Sequence, residues 1–169
     1  MRRFTPEDLD ELVALRSDPD VMRYIGEQSR EKVAQRLNYY ISLYEPHGFG
    51  MWGVVDKSNG ALIGWCGLIF LDGTPEVEVG YAVAKDYWGR GLVTEAARAA
   101  LRYGFDSAGL ERIVAVTKPE HRASRRIMEK LGMRYEKNVF HYGYDLVYYA
   151  ITRDEFRADD SFYLLHETE

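Results

Sequence analysis

From residue 87 the chain reads Tyr87-Trp88-Gly89-Arg90-Gly91-Leu92-Val93-Thr94-Glu95-Ala96. This stretch follows a strand-like run, Val77-Glu78-Val79-Gly80-Tyr81-Ala82-Val83, and opens a helix-like run over residues 92–105. A glycine-bearing turn at such a junction presents free backbone N–H groups to an anion, and the helix start adds partial positive charge. The chemistry implied is capture of a phosphate-bearing ligand. On the strand before the turn, Glu76 and Glu78 alternate with Val77 and Val79, so the two carboxylates share a face and are candidates to accept a proton. Further along, His121 and Ser124 stand at the start of another helix-like run. A histidine there could titrate near neutral pH or simply be an exposed loop residue, and the serine fits a helix cap.

The glycine turn alone also fits a plain tight strand-to-helix connection. A dinucleotide fold needs a third glycine in Gly-x-Gly-x-x-Gly after the first strand of a parallel βαβ unit. That glycine is absent, and three antiparallel strands come first. A P-loop needs Gly-Lys-Ser/Thr after a longer spacing, which is also missing.

The elements that would position these residues are legible as patterns. Thr5-Pro6-Glu7-Asp8 starts a helix, with Thr5 as cap and Pro6 in the first turn; it carries Leu9, Leu12, Val13 and Leu15 to Ser17-Asp18-Pro19. After a short turn, a second helix is predicted over residues 29–44, with Val33, Leu37, Tyr40, Ile41 and Tyr44 on one face. Strands follow at 49–56, 61–71 and 76–83, joined by an Asn59-Gly60 hairpin turn and a turn at Asp72-Gly73-Thr74-Pro75. Three linked strands make an antiparallel meander. The helix at 92–105 stops at Gly109. A strand at 112–117, a helix at 123–131 closed by Gly132, and strands at 133–140 and 144–152 complete the core. The expected fold is α+β with a mixed sheet, in the order αα-βββ-α-β-α-ββ. Residues 154–169 form a polar tail with one apolar knot, Phe162-Tyr163-Leu164-Leu165, which could fold back or join two copies as a homodimer.

Composition narrows the function. A length of 169 residues suits one domain spanning the whole chain. Net charge is −5, which argues against general nucleic-acid binding. It suits a cationic acceptor such as an amine, or simply an acidic soluble protein. Cys66 is the only cysteine, so no intrachain disulfide or cysteine metal site is expected; it reads as core, and no metal is anticipated. The first residues lack the apolar stretch of a signal peptide, and no apolar run approaches the length of a membrane span. A cytoplasmic location is the expectation.

The whole order, with the glycine turn after the third meander strand, resembles the GCN5-related N-acetyltransferase (GNAT) superfamily, which implies a central, mostly antiparallel twisted sheet flanked by helices in the order β-αα-βββ-α-β-α-ββ, with a short first strand. The resemblance is greatest to the branch holding the ribosomal-protein N-terminal acetyltransferases. It rests on Arg16-Ser17-Asp18-Pro19-x-Val21-Met22, Gly80-Tyr81, Trp88-Gly89-Arg90-Gly91, Thr94-Glu95-Ala96 and Ser124-Arg125-Arg126-x-Met128-Glu129-Lys130-Leu131-Gly132-Met133. It implies acetyl-coenzyme A as acyl donor, its pyrophosphate held by the amides of Trp88, Gly89, Arg90, Gly91, Leu92, Val93 and Thr94. The Thr94 hydroxyl and the Arg90 guanidinium would add donors. The thioester arm would enter where the third meander strand and the next strand splay apart. The acetyl carbonyl would there meet N–H groups of Tyr81, Ala82 and Val83, in the manner of an oxyanion hole. Gly80 would permit a bulge or a close approach.

By the same resemblance Glu78, ahead of Glu76, takes the proton through water, and Ser124 lies near the cofactor sulfur, where its hydroxyl could protonate the leaving thiolate. His121 stands where the family has Asn and could bond the cofactor arm, titrate, or be an exposed loop residue. Met128 stands where many members have a tyrosine general acid. Trp52, Trp65, Tyr24, Tyr40, Tyr142 and Tyr144 could shape an acceptor cleft or pack the core. The implied reaction is direct transfer in a ternary complex to a protein N-terminus or to a small amine such as an amino acid, polyamine or antibiotic. Freeing the amine at pH 7 costs about 1.4 kcal/mol for an α-amine and about 4.6 for a lysine. A non-catalytic acyl-coenzyme A-binding module and a different acyl donor remain as alternatives.

Overall fold

The computed structural model describes residues 1–26 and 28–158. The apolar knot at 162–165 lies outside them. The strands are β1 (Arg2–Arg3), β2 (Met51–Val55), β3 (Leu62–Phe70), β4 (Val77–Val83), β5 (Arg112–Thr117), β6 (Arg134–His141) and β7 (Tyr144–Thr152). The helices are α1 (Leu9–Arg16), α2 (Pro19–Met22), α3 (Arg30–Ser42), α4 (Tyr44–His47), α5 (Leu92–Asp106) and α6 (Arg122–Lys130). One seven-stranded sheet runs β1-β2-β3-β4-β5-β7-β6. Every neighbouring pair is antiparallel except β4–β5.

Sequence pattern accounts for this layering. Successive side chains of a strand face opposite sides of the sheet, and β3 is apolar on both. Cys66 and Leu68 join the cluster under α5 and α6, with Ala97, Leu101, Phe105, Ile113 and Met128. Trp65 and Ile69 join the cluster under α1 and α3, with Leu12, Val33, Leu37 and Tyr40. Each face of the central strand therefore supports its own helical layer.

Three local expectations change. The helix predicted to reach Tyr44 stops at Ser42, and α4 follows, ending at Gly48 with φ of 68°. The β2–β3 hairpin is longer than an Asn-Gly turn. Gly60 N–H donates to Asp56 O and Asp56 N–H to Ala61 O. Only Gly60 takes a positive φ, while the Asn59 carboxamide accepts the Ala61 N–H at 3.0 Å. Asn59 thus works through its side chain rather than its backbone. Gly80 makes no bulge against β3, because the ladder runs unbroken through Gly67↔Gly80. A Cβ there would meet Met51 Cε at 3.2 Å, so this glycine makes room for packing.

Candidate functional site

The glycine turn leaves an open row of donors. Trp88 is an exception to the expected set, since its N–H donates to Lys85 O at 3.0 Å. Its indole Nε1 donates to Val83 O at 2.9 Å, which ties the turn to the end of β4. The first bond of α5 is Glu95 N–H to Gly91 O. Between these two points, the N–H groups of Gly89, Arg90, Gly91, Leu92, Val93 and Thr94 have no protein acceptor among the described residues. Gly89 and Gly91 make this possible with φ of 74° and 79°, a region costly for other residues. A fifteen-residue helix stands behind the row and adds its dipole. Arg90 is exposed, its guanidinium 5.0 Å from the Tyr87 ring centroid, while Tyr87 is anchored by its hydroxyl to Asp56 at 2.9 Å.

Beside the turn the sheet opens. The β4–β5 pair has a single registered contact, Glu78↔Val114. Antiparallel strands direct alternate residues' N–H groups to opposite edges. Ala84 donates to Ile63 on the β3 side, so Ala82 and Gly80, in step with it, also face β3. Tyr81 and Val83 therefore aim their N–H groups at the gap. Of the three residues named for this role, Ala82 lies on the other edge.

Two hydroxyls meet on the α5–α6 face of β4. Ser124, 5% exposed, stands in the first turn of α6 with its Oγ 3.1 Å from the Tyr81 hydroxyl. The Tyr81 hydroxyl also donates toward Ser124 O at 3.3 Å. Burial pushes the Tyr81 phenol well above its ordinary range, so it stays protonated. Met128, which stands where the resemblance leads one to expect a tyrosine acid, is sealed in the core. A tyrosine hydroxyl instead reaches this region from β4. The β4-to-α6 contact that delivers it carries no local sequence signal. His121 is half-buried rather than exposed. It stacks on Tyr24 at 3.9 Å between centroids, and its Nδ1 lies 3.1 Å from Thr117 Oγ1. Burial lowers its pKa, favouring the neutral ring.

The opposite face of β4 holds the carboxylates. Glu78 is 7% exposed, and burial raises its pKa to about 7. The Tyr142 hydroxyl donates to it at 2.6 Å, and Arg36 opposes the rise. Tyr142 is itself clasped by Asp72. Tyr142 N–H donates to Asp72 Oδ2 at 2.8 Å, and Asp72 N–H donates to the Tyr142 hydroxyl at 3.0 Å. These two are the non-glycine residues with positive φ among those described, 44° and 55°. Such backbone is uncommon outside glycine and clusters at functional sites. Glu76 is engaged elsewhere, by the Tyr148 hydroxyl. The other aromatics divide: Trp52 packs edge-on against Tyr103 in the core, Trp65 and Tyr40 lie on the α1–α3 face, and Tyr144 is exposed under Lys118.

The geometry has close relatives. The acetyltransferase (GNAT) domain family matches residues 1–134. A Bacillus subtilis protein, YkkB, is 34% identical over 126 residues, 73% of each chain. The B. subtilis N-acetyltransferase YnaD is 30% identical over 161 residues, covering 92% of this chain and 94% of its own. A crystal structure of a GNAT-family acetyltransferase from Bacillus anthracis superposes with a TM-score of 0.76 at 31% identity, over 91% of this chain and 94% of that one. The chain belongs to the GNAT acetyltransferase family. It is an acetyl-coenzyme A-dependent N-acyltransferase built on the GNAT fold. Among the described residues no group of three or more His, Cys, Asp or Glu could hold a metal. None of their helices is long and apolar enough to cross a membrane.

Proposed function

We propose that the protein transfers acetyl from acetyl-coenzyme A to a primary amine in one ternary complex, with protein N-termini and small amines as the acceptor classes. The observation that carries this is the row of unpartnered N–H groups from Gly89 to Thr94 beside the gap between β4 and β5. A row of amides at a helix start fits a pyrophosphate, and Arg90 and the Thr94 hydroxyl add side-chain donors. When bound, acetyl-coenzyme A supplies an activated thioester.

The remaining work falls to this chain. The Tyr81 and Val83 N–H groups face the place where carbonyl charge would develop. Ser124, with the Tyr81 hydroxyl against it, is the proton donor on the sulfur side. Glu78 is the proton acceptor on the amine side, with Tyr142 as its positioning residue. A base with a pKa near 7 suits an α-amine better than a lysine, since the proton moves a shorter way uphill. The resemblance of its motifs to the ribosomal-protein N-terminal acetyltransferase branch supports a protein N-terminus as one acceptor class. Titration calorimetry with coenzyme A, followed by thiol release over an amine panel, tests the proposal. Saturable heat and amine-dependent thiol release are expected. Folded protein giving no heat at high micromolar coenzyme A contradicts it.

A further inference from the structure

Two connecting segments meet beside Glu78. One is the turn Leu71–Gly73, between β3 and β4; the other joins β6 to β7 and holds Tyr142. They are tied reciprocally. Tyr142 N–H donates to Asp72 Oδ2 at 2.8 Å, and Asp72 N–H donates to the Tyr142 hydroxyl at 3.0 Å. His141 Nδ1 lies 3.3 Å from the same carboxylate oxygen. Asp72 and Tyr142 both hold positive φ, 44° and 55°. Backbone of this kind persists only where its surroundings over-determine it, and the paired hydrogen bonds do so here.

The tie also sets the sense of the bond to Glu78. The Tyr142 hydroxyl has one proton to give. Its oxygen accepts the Asp72 N–H, so the proton is left for Glu78 Oε1, 2.6 Å away. A hydroxyl that accepts while it donates is polarised into a stronger donor. The Asp72 amide therefore orients the hydroxyl, and the Asp72 carboxylate holds the backbone that carries the ring. Other groups act on Glu78 from around it. Arg36 on α3 favours its charged form, the Asp72 charge opposes it, and the Tyr39 phenol is near enough to feel it. The Tyr142 hydrogen bond outweighs the Asp72 charge, which sits on a side chain 40% exposed and screened by water.

We propose that Asp72 is a positioning residue for the amine-side base, acting through Tyr142: without the Asp72 carboxylate the Tyr142 hydroxyl leaves Glu78. The inference rests on the acetyl-transfer reading above and extends its account of Glu78. A residue needed only to turn the chain would be bettered by glycine, which takes φ of 44° at no steric cost. The clasp needs a side-chain oxygen that accepts the Tyr142 N–H. Asparagine keeps such an oxygen and tolerates positive φ, whereas glycine has none.

Asp72→Gly and Asp72→Asn separate the clasp from the charge. Both remove the charge, which by itself moves the rising limb of the rate profile to lower pH. Asp72→Asn keeps the clasp, so its limb is expected at or slightly below the wild-type position. Asp72→Gly loses it, and its limb is expected to rise by about one pH unit, with kcat near pH 7 falling roughly threefold to tenfold. In a Tyr142→Phe background the glycine substitution is expected to cause no further rise, because the two residues act as one. Coenzyme A affinity by calorimetry should stay at the wild-type value throughout. Amide hydrogen exchange gives a second readout: Tyr142 N–H is expected to be protected in the wild type and in Asp72→Asn, and unprotected in Asp72→Gly. If both variants lower the limb alike, Asp72 acts only as a charge; the inference falls and the acetyl-transfer reading stands. A wild-type Tyr142 amide exchanging as fast as an open turn overturns it in the same way. A rate profile without a limb that Glu78→Gln removes overturns both the inference and Glu78 as base, and absence of coenzyme A binding overturns the acetyl-transfer reading with them.

Discussion

The two faces of β4 are built on different principles. Toward α5 and α6 the groups proposed to hold the cofactor are backbone N–H groups and neutral hydroxyls: Gly89 to Thr94, Tyr81, Val83 and Ser124. Toward α1 and α3 the notable groups are ionisable side chains held out of water: the proposed base Glu78 under Tyr142, and Arg16 over Trp65. Backbone donors are fixed by the chain's path and do not depend on which side chains flank them. Buried charges depend on individual side chains and can differ from one acceptor to the next. The contrast predicts that substitutions on the second face change turnover and pH dependence while leaving coenzyme A binding alone.

The largest effect is expected from Glu78→Gln. It should lower kcat about 10²–10⁴-fold near neutral pH, the usual worth of a positioned base, with coenzyme A affinity unchanged by calorimetry. Wild-type activity should rise with pH through about 7 as Glu78 ionises, and the variant should lose that step. Stability moves the other way. The folded state binds a proton on Glu78 that the unfolded state releases between the ordinary 4.5 and about 7, so stability falls as pH rises across that window. A change on the order of 3 kcal/mol follows from such a shift, and Glu78→Gln should flatten this part of the melting-temperature profile.

Tyr142→Phe comes next. The Tyr142 hydroxyl favours ionised Glu78, so its loss should move the rising limb of the rate profile to higher pH, with a smaller loss at the plateau. A fall in kcat without that displacement would show that Tyr142 acts on something other than Glu78. On the donor face, Gly91→Ala meets no neighbouring atom, and its φ of 79° is the only obstacle. About 1–2 kcal/mol of strain is expected, read as weaker coenzyme A binding and a lower melting temperature, with the pH profile unchanged. Ser124→Ala should have the smallest effect, a modest fall in kcat, because the Tyr81 hydroxyl remains beside it.

The donor face was far more legible in the sequence than the acceptor face. Gly89 and Gly91 announce a turn by residue type alone, and the strands at 112–117 and 144–152 fall where their apolar runs place them. The element order followed from turns and periodicity. What stayed hidden joins residues far apart in the chain. Tyr142 reaches Glu78 across 64 positions and Tyr81 reaches Ser124 across 43. No periodicity encodes such meetings; the first exists only once β7 pairs with β5 and carries the β6–β7 turn with it, the second only once α6 packs beside β4. Trp88 shows the limit within a motif. Its place in the glycine turn suggested an outward N–H, yet the tight turn after β4 takes that donor back to Lys85. Arg16 appeared only as part of a resemblance, since nothing in its neighbours foretold a guanidinium buried, among the described residues, without a carboxylate partner.

The division between the two faces is tested most directly by amide NMR of the ¹⁵N-labelled protein during titration with coenzyme A. The amides of Gly89 to Thr94 should shift together and saturate at one affinity, while those of Glu78, Tyr142 and Arg16 move little. Saturable binding that leaves Gly89 to Thr94 unmoved, or shifts centred on Glu78 and Arg16, would contradict the account.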